Sequence, residues 1–452
     1  MAGMHGATRN GLFPLAFAIL SAASLGQAPR PAPPRPPSGG RPPIAELTPD
    51  TGRLPAARRY LPTAINEPLM SMTIQVVQEK PGSSVYRSRH FQFDSPVKIG
   101  AAAMKEICRA FESTHELVSK LPWGITPRPQ DGPFFRAQLF RTRAEYLTAG
   151  APEWSAGFYS PRDFTFRIPF DRIGIGSRGD AFYLVGGIDN DTITHEVTHQ
   201  MMHEYLRFMP IWMIEGTAEY TSRLPYQSGR YNVAGAIEAL KQMRRSFTKE
   251  DKRSPYQQSA TPPKWVGAED LWGYTTSITE RRLLTDLGKD TPTSPPRRFI
   301  EARPYLDSSI AGLPDRYFSS HLLVFFFMHF DGDGKATRIK AYFDAIHEER
   351  KLWHAFSKSL PAHEAGMEKY RAAWEAFKSQ PGVSDLGDGR VQYPPGLTPP
   401  TPPAAPQTPG GIDPTKVCAK HLGILLGGRS LAELDAEVRA AFAKAGSPLS
   451  PL

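Results

Sequence analysis

Cysteine is nearly absent: Cys108 and Cys418 are the only two in 452 residues, so at most one disulfide can form and the fold must rest on packed apolar surface. Sequence alone does not bring the two together. Cys108 has no neighbouring His or Asn pattern, and no G-x-S-x-G elbow occurs, which removes the cysteine and serine nucleophile classes. The apolar run from Leu12 to about Leu25 is too short and too rich in small residues to read as a membrane span. The formal net charge is +9, but the basic residues fall in scattered pairs such as Arg244-Arg245 and Arg297-Arg298 with no interleaved aromatic motif. Nucleic acid is therefore not an expected partner, and the charge serves general solubility.

What is present begins with an address. Arg9 precedes the Leu12–Leu25 run and small residues close it near Gln27-Ala28, the layout of a secretory signal peptide over residues 1–28. An uncleaved N-terminal anchor is the alternative. Pro29 disfavours cleavage directly after Ala28 and leaves sites nearer Ala23 or Gly26 open, while the lack of a Cys there excludes a lipid anchor. The expectation is an exported protein, periplasmic, extracellular or envelope-associated, with no integral span once the signal is removed. Proline, 45 residues, is about twice its usual share of roughly 5%. It concentrates in two stretches that read as extended linkers, 29–66 and 381–414. They bracket a body divided into 67–185 and 186–380. A last segment, 415–452, carries the capping box Ser430-Leu431-Ala432-Glu433 and an apolar face of Leu431, Leu434, Val438 and Phe442 that ends at Gly446. One helix cannot bury such a face alone, so docking on the body is expected, with a separate partner as the alternative.

Within 67–185, strands are expected at Met72–Gln78, His90–Asp94, Phe134–Phe140, the alternating Phe164–Phe170 and the run Ala181–Val185. Between them, Ser95-Pro96 can cap a helix bearing Met104, Ile107, Phe111, Val118 and Leu121 at helical spacing. Downstream the pattern is helical, with an apolar helix from about His321 to Phe330 and further helices to Phe377.

The chemistry lies in His195-Glu196-Val197-Thr198-His199. Ile193, Val197 and Met201 repeat at helical spacing after the cap candidates Asp191 and Thr192, so the two histidines ride one face of a helix. Both imidazoles can then reach one metal ion, with Glu196 beside the open coordination position. After Pro210, a second helix from about Ile211 to Ser222 brings Glu215 and Glu219 onto one face. A carboxylate from there completes a two-His, one-carboxylate zinc site, and periodicity alone does not choose between them.

The pair HEVTH and WMIEGTAEY resembles the gluzincins, the thermolysin-like zinc peptidases, and most closely the peptidase MA-like families whose second helix reads W-[LM]-x-E-G-x-A-E-Y. The motifs are specific over 195–220 and loose over the rest of about 89–378. The resemblance implies one zinc ion held by His195, His199 and Glu215. Glu196 is then the general base, and Glu219 accepts a hydrogen bond from the far nitrogen of a ligand histidine. It also implies an α+β fold in which a small N-terminal mixed sheet with its helix packs against a mainly helical zincin subdomain, the active-site cleft lying between them. The substrate would be a peptide or protein, lying along an edge strand. Gly216, beside Glu215, is expected to allow close approach to the active-site helix. Order along the chain makes Tyr317 and His321 the candidates to steady the oxyanion. The alternative function, from another class, is a secreted zinc-binding structural or peptide-binding module without turnover.

Three other patterns read as structural. His203 lies roughly 12 Å along the helix from His195, too far to share an ion, and is expected to be solvated or in the core. Gly174-Ile175-Gly176-Ser177-Arg178-Gly179 matches G-x-G-x-x-G, but a strand-like run follows it, so a loop is expected. Asp331-Gly332-Asp333-Gly334 lacks the ligand pattern of a calcium loop and reads as a turn between helices.

Overall fold

The computed structural model describes residues 61–66, 73–247, 263–273 and 313–449, apart from 153–154, 162, 179–180, 186–187, 189, 388–389, 405, 408 and 412–413. The expected signal peptide and the first linker up to residue 60 lie outside the described residues.

The upstream part is laid down as β1 (Ile65–Asn66), β2 (Gln75–Lys80), β3 (Ser83–Arg87), β4 (Phe91–Ser95), α1 (Ala101–Lys120), β5 (Phe135–Phe140), α2 (Arg143–Thr148), β6 (Phe158–Ser160), β7 (Thr165–Pro169), β8 (Ile175–Arg178) and β9 (Ala181–Leu184). Six of these strands form one mixed sheet in the order β2-β3-β4-β5-β7-β6. The β4–β5 and β5–β7 pairs are parallel and the others antiparallel. Strand β6 is thus an outer strand. Helix α1 is the crossover that the parallel β4–β5 pair requires. Its Phe111 meets Phe91, Phe93 and Phe166 at ring separations of 5.2, 4.9 and 5.3 Å. The positions expected to face the core, Met104, Ile107, Phe111, Val118 and Leu121, are all buried.

The helical part follows: α3 (Asn190–Met201), α4 (His203–Leu206), α5 (Ile211–Ser222), β10 (Tyr226–Gln227), β11 (Arg230–Tyr231), α6 (Ala236–Phe247), α7 (Ala268–Gly273), α8 (Leu313–His329) and α9 (Thr337–Lys378). Helix α3 packs against both α1 and α5, and α5 against α8. Because it is enclosed on several sides, α3 buries polar and apolar residues alike. Its threonines and Asn190 find partners, as most buried polar groups do. Thr198 Oγ1 donates to Thr194 O at 2.7 Å and meets Thr221 Oγ1 on α5 at 2.8 Å. Thr194, Thr114 and Asn190 converge on the Tyr231 hydroxyl at 2.7, 3.0 and 3.2 Å.

Several expectations shift. The helix after Ser95-Pro96 starts five residues late because Ser95 Oγ closes its own turn with Val97, donating to its carbonyl and accepting from its N–H. Asp191 and Thr192 lie inside α3, which begins at Asn190. The G-x-G-x-x-G stretch is no loop: Ile175–Arg178 pairs with β9 as the first strand of a hairpin. Helix α8 begins well before His321, and the expected series of helices to Phe377 is one long helix running through Pro361. The turn at 331–334 between α8 and α9 is found as expected. The 381–414 stretch is more than a tether, since it pairs β12 (Ser384–Gly387) with β13 (Arg390–Gln392) and then lays Pro403 against Gly366 of α9. Cys108 and Cys418 are both buried, and no disulfide joins them.

At the C-terminus come α10 (Leu422–Leu426) and α11 (Leu431–Lys444), the latter with the capping box at Ser430 and Glu433. Helix α11 docks on the body. Phe442 packs against Phe325 and Phe330 at 5.9 and 5.2 Å, and Asp435 accepts from Trp265 Nε1 at 2.7 Å and the Ala268 N–H at 3.0 Å.

Candidate metal centre

Two helices supply the centre. On α3, the four-residue spacing brings His195 and His199 Nε2 to 3.1 Å of each other. From α5, Glu215 Oε2 reaches 3.4 Å from His195 Nε2 and 3.3 Å from His199 Nε2. His195, His199 and Glu215 are the one such group among the described residues, with ligand atoms all within 4.8 Å of one another. All three residues are at most 3% exposed.

The donor set fits a metal ion. A tetrahedral ion with bonds of 2.0–2.1 Å holds its donors about 3.3–3.4 Å apart, close to all three edges of this triangle. Glu215 Oε2 is buried and has no hydrogen-bond partner, an expensive state for a carboxylate oxygen unless a cation meets it. Two facing Nε2 atoms likewise present lone pairs to one point when both rings are neutral. Burial alone would push the Glu215 carboxyl up, but His199 and His195 outweigh it and hold it at about 2. Burial disfavours the His195 cation, yet Glu215, Glu219 and Glu196 together raise its affinity for a positive charge above the ordinary value.

Glu196 follows His195 on α3 and is fully buried. Its Oε2 accepts the Tyr159 N–H from β6 at 2.9 Å, while Oε1 has no partner. Burial pushes its carboxyl up to about 8, with Glu215 and Glu219 adding to the rise against the pull of His195 and the Tyr159 N–H. A carboxylate so placed can accept and release a proton near neutrality.

Behind the triangle, Glu219 Oε1 lies 3.5 Å from His195 Nδ1. Its other oxygen accepts from Arg223 Nε at 2.7 Å and from Nη2 of the same guanidinium. Each of the two candidate carboxylates thus meets a different nitrogen of His195.

Of the remaining candidates, His321 is buried on α8, with Arg223 and His329 as its titratable neighbours. It lines a cavity with Tyr220, Arg223, Leu240 and Phe325, and its Nδ1 has no hydrogen-bond partner. Burial, then Arg223, hold the imidazole well below its ordinary value, so it is neutral. Tyr317 is buried one turn earlier on the same helix. Neither is among the atoms grouped at the triangle. His203 is half-buried, bonded through Nδ1 to the Tyr159 hydroxyl at 2.8 Å and packed edge-on against Phe164, which bears out its structural reading.

Sequence reasoning missed Tyr159 and Arg223. Tyr159 acts through a backbone N–H, which leaves no trace in residue type. Arg223 stands four residues after Glu219, a visible helical pair, but such pairs are common on exposed helices and contribute little there. Compared with family models, with curated proteins and with solved structures, the chain matches none.

Proposed function

We propose that the protein is an exported zinc metallopeptidase of gluzincin type, with zinc held by His195, His199 and Glu215. The observation that carries this reading is the converging triangle of two imidazole nitrogens and one carboxylate oxygen, with the partnerless Glu196 Oε1 beside it. Three nitrogen and oxygen donors are the protein ligand set of catalytic zinc, which would keep its fourth position for water. A bound zinc ion supplies Lewis acidity, lowering the pKa of water from about 15.7 toward about 7. Glu196 is the general base: its Oε1 takes a proton from the attacking water and later delivers it to the leaving amine. The Tyr159 N–H fixes the plane of that carboxylate through Oε2, so that Oε1 does not have to be oriented at the moment of reaction. Strand β6, which carries Tyr159, is an outer strand of the sheet next to α3, where an extended peptide can align along the backbone. His321 is kept neutral and so suits an oxyanion donor chemically, but it faces the cavity lined by Tyr220, Arg223, Leu240 and Phe325 and is not among the residues grouped at the triangle. The sheet-plus-helix part and the helical part correspond in this reading to the two halves of a zincin domain.

One observation favours the second reading, a zinc-binding module without turnover: the ligands and Glu196 are all nearly inaccessible, as in closed structural sites. The two separate cleanly. Purified mature protein should contain one zinc per chain and cleave a generic unfolded protein, chelation should stop cleavage, and zinc should restore it. Glu196→Gln should retain zinc while hydrolysis falls by about two to four orders of magnitude. Zinc with no cleavage in the wild-type chain would establish the module instead.

A further inference from the structure

Three carboxylates, Glu196, Glu215 and Glu219, are enclosed together around two imidazoles. The side chain that offsets them with a permanent charge is Arg223, whose guanidinium binds Glu219 Oε2 through both Nε and Nη2. With all three carboxylates ionised, one guanidinium and one divalent ion bring the charge to zero with both imidazoles neutral, which is the state a metal-binding histidine requires. The geometry agrees with the charge. Arg223 is the C-cap of α5, its own N–H accepted by Glu219 O at 3.2 Å, so the backbone places its side chain back over Glu219. With Oε2 engaged twice, Oε1 is the oxygen left to face His195 Nδ1 at 3.5 Å.

We propose that Arg223 is a positioning residue for the metal centre. It fixes the Glu219 carboxylate, and through it the ring of His195, so that Nε2 carries a lone pair toward the ion. The inference rests on the metal site proposed above and adds a residue that touches neither metal nor substrate.

The test is zinc affinity, measured by competition with a chromogenic chelator, for the wild type, Arg223→Gln, Glu219→Gln and the double variant. Melting temperatures of loaded and stripped forms are recorded beside it. Arg223→Gln should weaken zinc binding by about 10- to 100-fold, the range for partners that orient a ligand. In the Glu219→Gln background the same change should cost less than about twofold, because the group it acts through is gone. A purely structural arginine would instead lower both melting temperatures equally and leave zinc affinity alone. Unchanged affinity, or an equal further loss in the Glu219→Gln background, overturns the proposal. Should Arg223→Gln not fold, Arg223→Lys keeps the charge but loses the planar fork, and it should bind zinc several-fold more weakly. Wild-type affinity in that variant overturns the proposal as well. A wild-type chain that takes up no zinc removes the centre itself, and this role with it, which is a distinct result from intact zinc binding in the Arg223 variants.

Discussion

Glu215 and Glu219 are the same side chain one helical turn apart, and what separates them is the partner each oxygen meets. Glu215 Oε2 has no hydrogen bond and faces two Nε2 atoms, whereas Glu219 divides its oxygens between Arg223 and His195 Nδ1. A ligand and its support respond differently to removal. Glu215→Ala should nearly abolish zinc retention, as should His199→Ala, while Glu219→Ala should cost about 10- to 100-fold in affinity. Equilibrium dialysis of the three variants decides it, and a larger loss for Glu219→Ala than for Glu215→Ala would reverse the two roles. At this scale the sequence was legible wherever the geometry depends on residue type at a fixed helical spacing, as with the convergence of His195 and His199. The choice between the two glutamates needed the family resemblance, because a helix puts both on one face. Tyr159 was hidden, since any residue but proline offers the same N–H.

The elements that carry the centre were the most legible, and the contact between them was misjudged. Helix α5 runs from Ile211 to Ser222 as the pattern after Pro210 predicts. Gly216, expected to admit the active-site helix, instead admits α8: a Cβ there would meet Ser320 O at 2.5 Å and Val324 Cγ2 at 2.7 Å. Residue type showed that something comes close, but not which element, because that depends on a long-range pairing across the segment between α5 and α8. The consequence is measurable. Gly216→Ala must push α5 away from backbone that cannot yield cheaply, an overpacking cost of about 1–3 kcal/mol, and it does so next to Glu215. Lower thermal stability together with weaker zinc binding is expected, and a variant that matches the wild type in both would show that the approach is looser than 2.5 Å implies. The late start of α1 and the unbroken α9 were missed for local reasons. Ser95 spends its hydroxyl on its own turn, and Pro361 lies on an exposed stretch of α9, where the helix continues through it.

At the scale of the whole molecule, a mixed sheet followed by a helical part was readable from the shift between alternating and helical patterns, but strand order was not. Placing β7 between β5 and β6 depends on pairings that no local pattern encodes. The docked C-terminal helix was readable from its apolar face, and its seat on Phe325 and Phe330 of α8 and the residue after it was not. This packing also encloses histidines that must stay neutral. Burial lowers His115, His203 and His329 from 6.5 to about 4, and His321 well below 6.5. His203 hydrogen-bonds the Tyr159 hydroxyl through Nδ1. As pH falls below 6.5 the unfolded chain takes up these protons and the folded chain does not, so the folded state loses stability steadily down to about 4. Below that the window belongs to carboxylates such as Glu112 and Glu349, held under 4.5 by hydrogen bonds that outweigh burial. The Glu196 carboxyl, raised to about 8, holds a proton in the folded state over the same range and offsets part of this loss. Four imidazoles outnumber it, so metal-free protein should show a urea midpoint that declines from pH 6.5 to about 4 rather than only below it. His203→Gln, which keeps a hydrogen-bond acceptor for Tyr159 but cannot be protonated in this range, should flatten part of that decline. A midpoint constant between pH 6.5 and 4.5 would mean that these imidazoles take up protons in the folded state, and that the core around them is open to water.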